Sequence, residues 1–155
     1  MTPAVDLVRR CGVAHEVLEY EHDPATPSYA LEAAQALGIE PACVYKTLVA
    51  DLADGRLAVA IVPSERQLDL KALAACTGVK RATMAEARAA ERATGYVLGG
   101  ISPFAQKRRL PTVLDESALG LERIYVSGGR RGLEIGLAPA DLVSLTGAEV
   151  AGIAR

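Results

Sequence analysis

Two apolar runs joined by an Asp-Gly reversal constrain this chain more than any other feature. Val44 to Asp51 reads as a strand, Asp54-Gly55 as the turn, and Leu57 to Val62 as the returning strand. Asp-Gly adopts the left-handed backbone angles that a tight hairpin loop demands, so a β-hairpin is expected near the middle of the sequence. The groups available to pack on it are mostly aliphatic. Half the residues are hydrophobic, yet Trp is absent and Phe104 is the only phenylalanine, which leaves Ala, Leu, Val and Ile to build the core. That composition suits short strands covered by Ala-rich helices.

The remaining segments fit this picture. Apolar residues at Ala4, Val5, Leu7 and Val8 follow a helical spacing that Gly12 ends. Ala14 to Tyr20 alternates as a strand does, and the two prolines of Asp23-Pro24-Ala25-Thr26-Pro27 break it into a loop. Ser28 is placed to cap a helix that Gly38 closes, and Asp69 to cap a second over Leu70 to Ala75. A further helix is expected over Met84 to Ala93. Strands are expected over Pro111 to Asp115, Ile124 to Ser127 and Leu133 to Leu137, and a last helix starts at Pro139. Hairpins interspersed with scattered helices favour an α+β class over a regular doubly wound sheet. At 155 residues one unit, residues 1–155, is expected: a single compact domain with a mixed, barrel-like β-sheet surrounded by short helices.

Bulk properties exclude several classes of function. Apolar runs such as Leu57 to Pro63 fall far short of the roughly 20 residues that a membrane-crossing helix needs. The N-terminal residues lack the basic and apolar regions of a secretory signal, so a cytoplasmic location is expected. Cys11, Cys43 and Cys76 are spaced as neither a zinc ribbon nor a redox pair and read as reduced structural thiols. With a net charge of −2, any contact with nucleic acid must be local. Lys71, Lys80 with Arg81, the Lys107 to Arg109 run, and Arg130 with Arg131 are the candidate cations for it.

Two glycine-rich stretches carry the chemical signal. Thr94-Gly95-Tyr96-Val97-Leu98-Gly99-Gly100-Ile101-Ser102-Pro103 precedes Gln106-Lys107-Arg108-Arg109, and Tyr125-Val126-Ser127-Gly128-Gly129-Arg130-Arg131-Gly132 repeats the scheme in smaller form. Glycine brings main-chain N–H groups close to a ligand, where they donate to phosphate or ester oxygens. The two loops are therefore expected to face one site. Ser102 and Ser127 read as ligand hydrogen-bonders, because no motif supplies either with an activating partner. Signatures of common hydrolases, zinc proteases and nucleotide-binding loops are absent. His15 falls on a strand and His22 in the proline-rich loop. Lys46, inside the first strand of the hairpin, is either a solvated strand lysine or a cleft ammonium able to steady a developing oxyanion; spacing leaves both open.

Several ordered motifs carry a family resemblance. These are Tyr20-Glu21-His22-Asp23-Pro24, Val44-Tyr45-Lys46-Thr47-Leu48, Gln67-Leu68-Asp69-Leu70-Lys71, Gly99-Gly100-Ile101-Ser102-Pro103, Gln106 to Thr112 and Ile124 to Gly129. Together they closely resemble the bacterial YbaK/EbsC family, in particular its YbaK-type Cys-tRNA(Pro) deacylases, over nearly the whole chain. The resemblance implies an α+β editing domain related to the insertion domain of bacterial prolyl-tRNA synthetases, acting in trans on mischarged tRNA without a cofactor or metal. It places the family's essential lysine on Lys46 and the neighbouring hydroxyl on Thr47. Gly99 and Gly100 become the catalytic loop glycines, with Ser102 and Pro103 shaping their turn, while Tyr20, Ser127 and Gly128 complete the pocket. Tyr29, where related sequences more often carry phenylalanine, bears on the amino-acid preference. The implied partners are the 3′ acceptor end of mischarged tRNA(Pro) and prolyl-tRNA synthetase. Two alternatives stand beside this reading: a deacylase for another amino acid such as alanine, and a non-catalytic module that binds aminoacyl-adenosine or a phosphate ligand.

Overall fold

The computed structural model describes residues 1–26 and 31–155 in full, and the backbone alone at 29 and 30. Its centre is the expected hairpin. Strand β2 (Tyr45–Leu52) pairs antiparallel with β3 (Arg56–Pro63) from Tyr45 opposite Pro63 to Leu52 opposite Arg56, and Gly55 turns at φ +89°. On the far side of β3, β5 (Thr112–Asp115) and β8 (Glu149–Ala151) continue the sheet in parallel, and β4 (Ala82–Met84) lies antiparallel on the outer edge of β2. The sheet order is therefore β4-β2-β3-β5-β8. A second sheet, in the order β1-β7-β6, contains β1 (His15–Glu19), β6 (Ile124–Ser127) and β7 (Leu133–Leu137), all antiparallel.

Alternation along the hairpin splits the apolar residues between two cores. Tyr45, Val49, Val59 and Ile61 face the larger one, together with Ile124, Val126, Leu133, Ile135, Leu137 and Phe104. Ala50, Leu52, Ala58, Ala60 and Val62 face the smaller one, where Leu73 and Ile153 cover them. The helices are short and closed by local chemistry. In α1 (Pro3–Cys11) the Thr2 hydroxyl accepts from the Val5 N–H, and in α3 (Leu70–Thr77) the Asp69 carboxylate accepts from the Ala72 N–H at 3.0 Å. The others are α2 (Tyr29–Leu37), α4 (Ala87–Thr94) and α5 (Pro139–Thr146). The cap expected at Ser28 lies outside the described residues.

The architecture corrects one expectation. The sheet is mixed, but it does not close into a barrel: β6 meets the residue just before β2 at a single parallel bridge, Val44 with Tyr125, and the two strands belong to separate sheets. The outer edge of β2 is bounded by that bridge at one end and by β4 at the other. The helix expected from Met84 starts at Ala87, because Ala82 to Met84 is drawn into β4.

Candidate active site

A cleft of about 550 Å³ opens where the two sheets part. It straddles the outer edge of β2. Lys46 and Leu48 reach it from one face of the strand, and Tyr45 and Thr47 from the other. Tyr20, Ser127, Arg130, Arg131 and Glu134 form the wall on the side of the smaller sheet, while Met84, Ala85, Leu98, Gly99 and Ile101 form the opposite rim. A volume of this size suits a small-molecule or aminoacyl-nucleoside ligand.

Lys46 is half-buried and lines the cleft. Desolvation lowers its pKa below the ordinary lysine value, as expected of an ammonium partly withdrawn from water. Beside it, the Thr47 hydroxyl oxygen is buried with no hydrogen-bond partner among the described residues. An unpaired buried hydroxyl is costly unless a ligand or water completes it.

The two glycine loops do converge. Val97 to Gly100 forms a turn closed by a 2.9 Å bond from the Gly100 N–H to the Val97 carbonyl, with Gly99 at φ +92° in the position where such a turn needs glycine. Glu91, on α4, fixes this turn by accepting from the Leu98 N–H at 2.8 Å. Gly99 faces the cleft. Gly100 is buried beneath it, and a Cβ there would lie 2.8 Å from the Cα of Arg130, so this glycine is the seam along which the two loops touch.

The other expected residues divide into two groups. Tyr20 and Ser127 line the cleft, and burial followed by the nearby Glu134 carboxyl raises the Tyr20 pKa. Ser102, Pro103 and Gly128 are not brought to it. Ser102 is fully buried, with its hydroxyl accepting from the Phe104 N–H at 3.3 Å. Pro103 faces a separate, smaller cleft, and Gly128 packs against Leu133 while its carbonyl accepts from the Thr2 hydroxyl. These three shape the loops from behind. The side chain of Tyr29 lies outside the described residues. Lys107 and Arg109 do not line the cleft; their side chains pack over Gly95 and Gly147 at the C-terminal ends of α4 and α5, where cations suit the helix dipole.

Glu134 is the residue that sequence reasoning missed. It is 8% exposed, and burial alone, with no hydrogen-bonding or charged partner among the described residues, acts on its carboxyl. Burial pushes its pKa up to about 8. The signal was present in Leu133-Glu134-Ile135-Gly136-Leu137: alternation sends Leu133, Ile135 and Leu137 into the core, so Glu134 must point to the opposite face, across from Ser127.

A family model of the aminoacyl-tRNA editing domain matches residues 23–145. The chain belongs to this family. The editing domain is 38% identical over 153 residues to EbsC of Enterococcus faecalis, named as a candidate Cys-tRNA(Pro)/Cys-tRNA(Cys) deacylase; the match covers 98% of this chain and 92% of that protein. Among solved structures, the editing domain superposes on a candidate trans-editing enzyme for prolyl-tRNA synthetase with a TM-score of 0.85 at 29% identity, covering 100% of this chain and 99% of the other. It also superposes on the hypothetical protein APE2540 with a TM-score of 0.88 at 26% identity, covering 99% of this chain and 100% of the other.

Proposed function

We propose that this editing domain is a trans-acting aminoacyl-tRNA deacylase that removes cysteine from mischarged Cys-tRNA(Pro). The observation that carries the reading is the position of a partly desolvated Lys46 ammonium in a cleft whose opposite rim is the Gly99 turn. An ester placed between them has a cation on one side and main-chain dipoles on the other. Charge that grows on the carbonyl oxygen during cleavage is then stabilised by groups already held in place, which is where much of an enzyme's rate arises.

In the thiol-assisted route the sulfur of the substrate cysteine attacks its own ester carbonyl. A C–S bond forms, the C–O bond to the ribose breaks, and the thiol proton ends on the departing ribose oxygen, releasing a cyclic thiolactone. The protein's task is to hold the ester in a reactive pose and to favour the oxyanion. Glu134 suits the α-ammonium of the aminoacyl group, because an arriving cation favours the ionised carboxylate that the empty cleft disfavours. Arg130, exposed at the mouth, suits the phosphodiester of the acceptor end. Few cations line the site, so tRNA binding by the domain alone is weak, and prolyl-tRNA synthetase is the partner that would present the mischarged end.

The test is amino-acid release from Cys-tRNA(Pro) and Ala-tRNA(Pro) by the wild type and by Lys46→Ala, with circular dichroism to establish that the variant is folded. The expected outcome is release from Cys-tRNA(Pro) by the wild type and a loss of about 10²-fold or more in the variant. Binding without release would instead identify a non-catalytic module, and preferential release of alanine would reassign the substrate. Trapping of a thiolactone distinguishes thiol attack from attack by water.

A further inference from the structure

The cleft exposes a strand edge as well as side chains. In the β2–β3 ladder successive residues direct their main-chain groups alternately toward the partner strand and away from it. The Val49 carbonyl accepts from the Ala85 N–H at 3.0 Å on the outer side, and the N–H of its partner Val59 donates to Pro111 on the far side of β3. Val49 and Val59 therefore direct their N–H and C=O groups away from each other. Two residues back in the same register, Thr47 opposite Ile61 does the same. The Ser64 N–H donating to the Val44 carbonyl at 2.8 Å, on the inner side, agrees with this phase.

Thr47 thus turns its N–H outward at a stretch of β2 that has no paired strand among the described residues. The bridge to β6 lies behind it at Val44, and the β4 pairing begins ahead of it at Ala50. Lys46 and Thr47 enter the cleft from opposite faces of the sheet, so the edge between them forms part of the cleft floor. The Thr47 hydroxyl on the same residue also has no partner among the described residues. A strand edge that is open, fixed by pairing on both sides and flanked by an ammonium is a preorganised donor.

We propose that the main-chain N–H of Thr47 donates a hydrogen bond to the carbonyl oxygen of the scissile ester, making it a catalytic donor beside Lys46. The inference rests on the deacylase reading and adds to it a donor that no substitution short of proline removes. The test replaces the Thr47 peptide N–H by oxygen, through incorporation of the α-hydroxy analogue of valine at position 47, and compares this protein with Thr47→Val, which keeps the N–H and lacks the hydroxyl. Single-turnover deacylation of Cys-tRNA(Pro) is expected to slow by about 10²-fold relative to Thr47→Val. Only a modest fall in melting temperature is expected, from the weaker ester carbonyl of Lys46 opposite Val62, because the Thr47 N–H has no partner among the described residues. Equal rates in the two proteins would overturn the inference. If the ester-containing protein fails to fold, amide hydrogen exchange in the wild type decides: Thr47 must exchange rapidly alone and become protected by a non-hydrolysable, amide-linked cysteinyl-adenosine, and an amide already protected in the free protein would overturn the proposal. A wild type that releases no amino acid would defeat the deacylase reading; an active wild type with an inactive Lys46→Ala and an unimpaired ester variant would defeat only this one.

Discussion

At the scale of single residues, the cleft is organised by two groups whose ionisation is disfavoured by burial, Lys46 and Glu134. For Glu134 the consequence for stability has a definite sign. Its folded pKa, about 8, stands above the ordinary 4.5, so the folded protein holds a proton that the unfolded chain gives up. The stabilisation associated with that proton is complete below about pH 4.5 and is lost as pH rises toward 8. Glu134→Gln, which stays neutral, should therefore gain on the wild type by about 2 kcal/mol or more between pH 5 and pH 8.5, measured by urea denaturation at both values. The same variant should raise KM for the charged tRNA, since it cannot ionise to meet an ammonium. Lys46 was legible in the sequence as a candidate because a lysine interrupts an apolar alternation. Its direction was not, because strand periodicity gives a residue's face without saying what lies against that face. Glu134 escaped notice because one carboxylate between aliphatic residues looks like a solvated position unless the neighbouring sheet is known to cover it.

At the scale of elements, the glycine turn is a supported structure. Glu91 of α4 holds the Leu98 N–H from one side, and the Arg130 backbone presses on Gly100 from the other. Gly100→Ala would place a methyl carbon 2.8 Å from a main-chain atom that has no flexible end to move aside. The two loops must then separate, and a loss of about 1–3 kcal/mol is expected, with a fall in deacylation larger than that of Gly120→Ala, where a Cβ meets open space. Thermal melts and single-turnover rates check this. The hairpin, the flanking strands and most helices were legible because each carries a full period of its pattern. The three-residue strands β4 and β8 were not: Ala82 to Met84 and Glu149 to Ala151 are too short to show alternation and exist because a paired neighbour awaits them.

At the scale of the molecule, the chain is secured at its end by Asp115. This buried carboxylate accepts from the N–H groups of Ile153 and Ala154, each at 2.9 Å, and from the N–H and hydroxyl of Ser117, whose Oγ in turn lies 2.8 Å from the Tyr45 hydroxyl. Burial pulls its pKa upward, but these hydrogen bonds outweigh it and leave the pKa below the usual value of 3.8. Its contribution is present at neutral pH and is lost as pH falls through that range, the opposite limb from Glu134. Asp115→Ala should cost about 2–4 kcal/mol at pH 7 and show a shallower further loss between pH 5 and pH 3 than the wild type, read by denaturant melts. The α+β class was legible from the mixture of patterns. The unclosed barrel was not, since closure depends on whether β6 follows β2 past Tyr125, and no local pattern encodes that divergence. The bare rim of β2 also carries a hazard, because an unpaired strand border is a template on which a stranger's chain can settle and seed aggregation. Lys46 stands on that border with a charge that a docking strand would have to bury, so the same ammonium that we assign to the reaction also guards the open edge against a foreign strand.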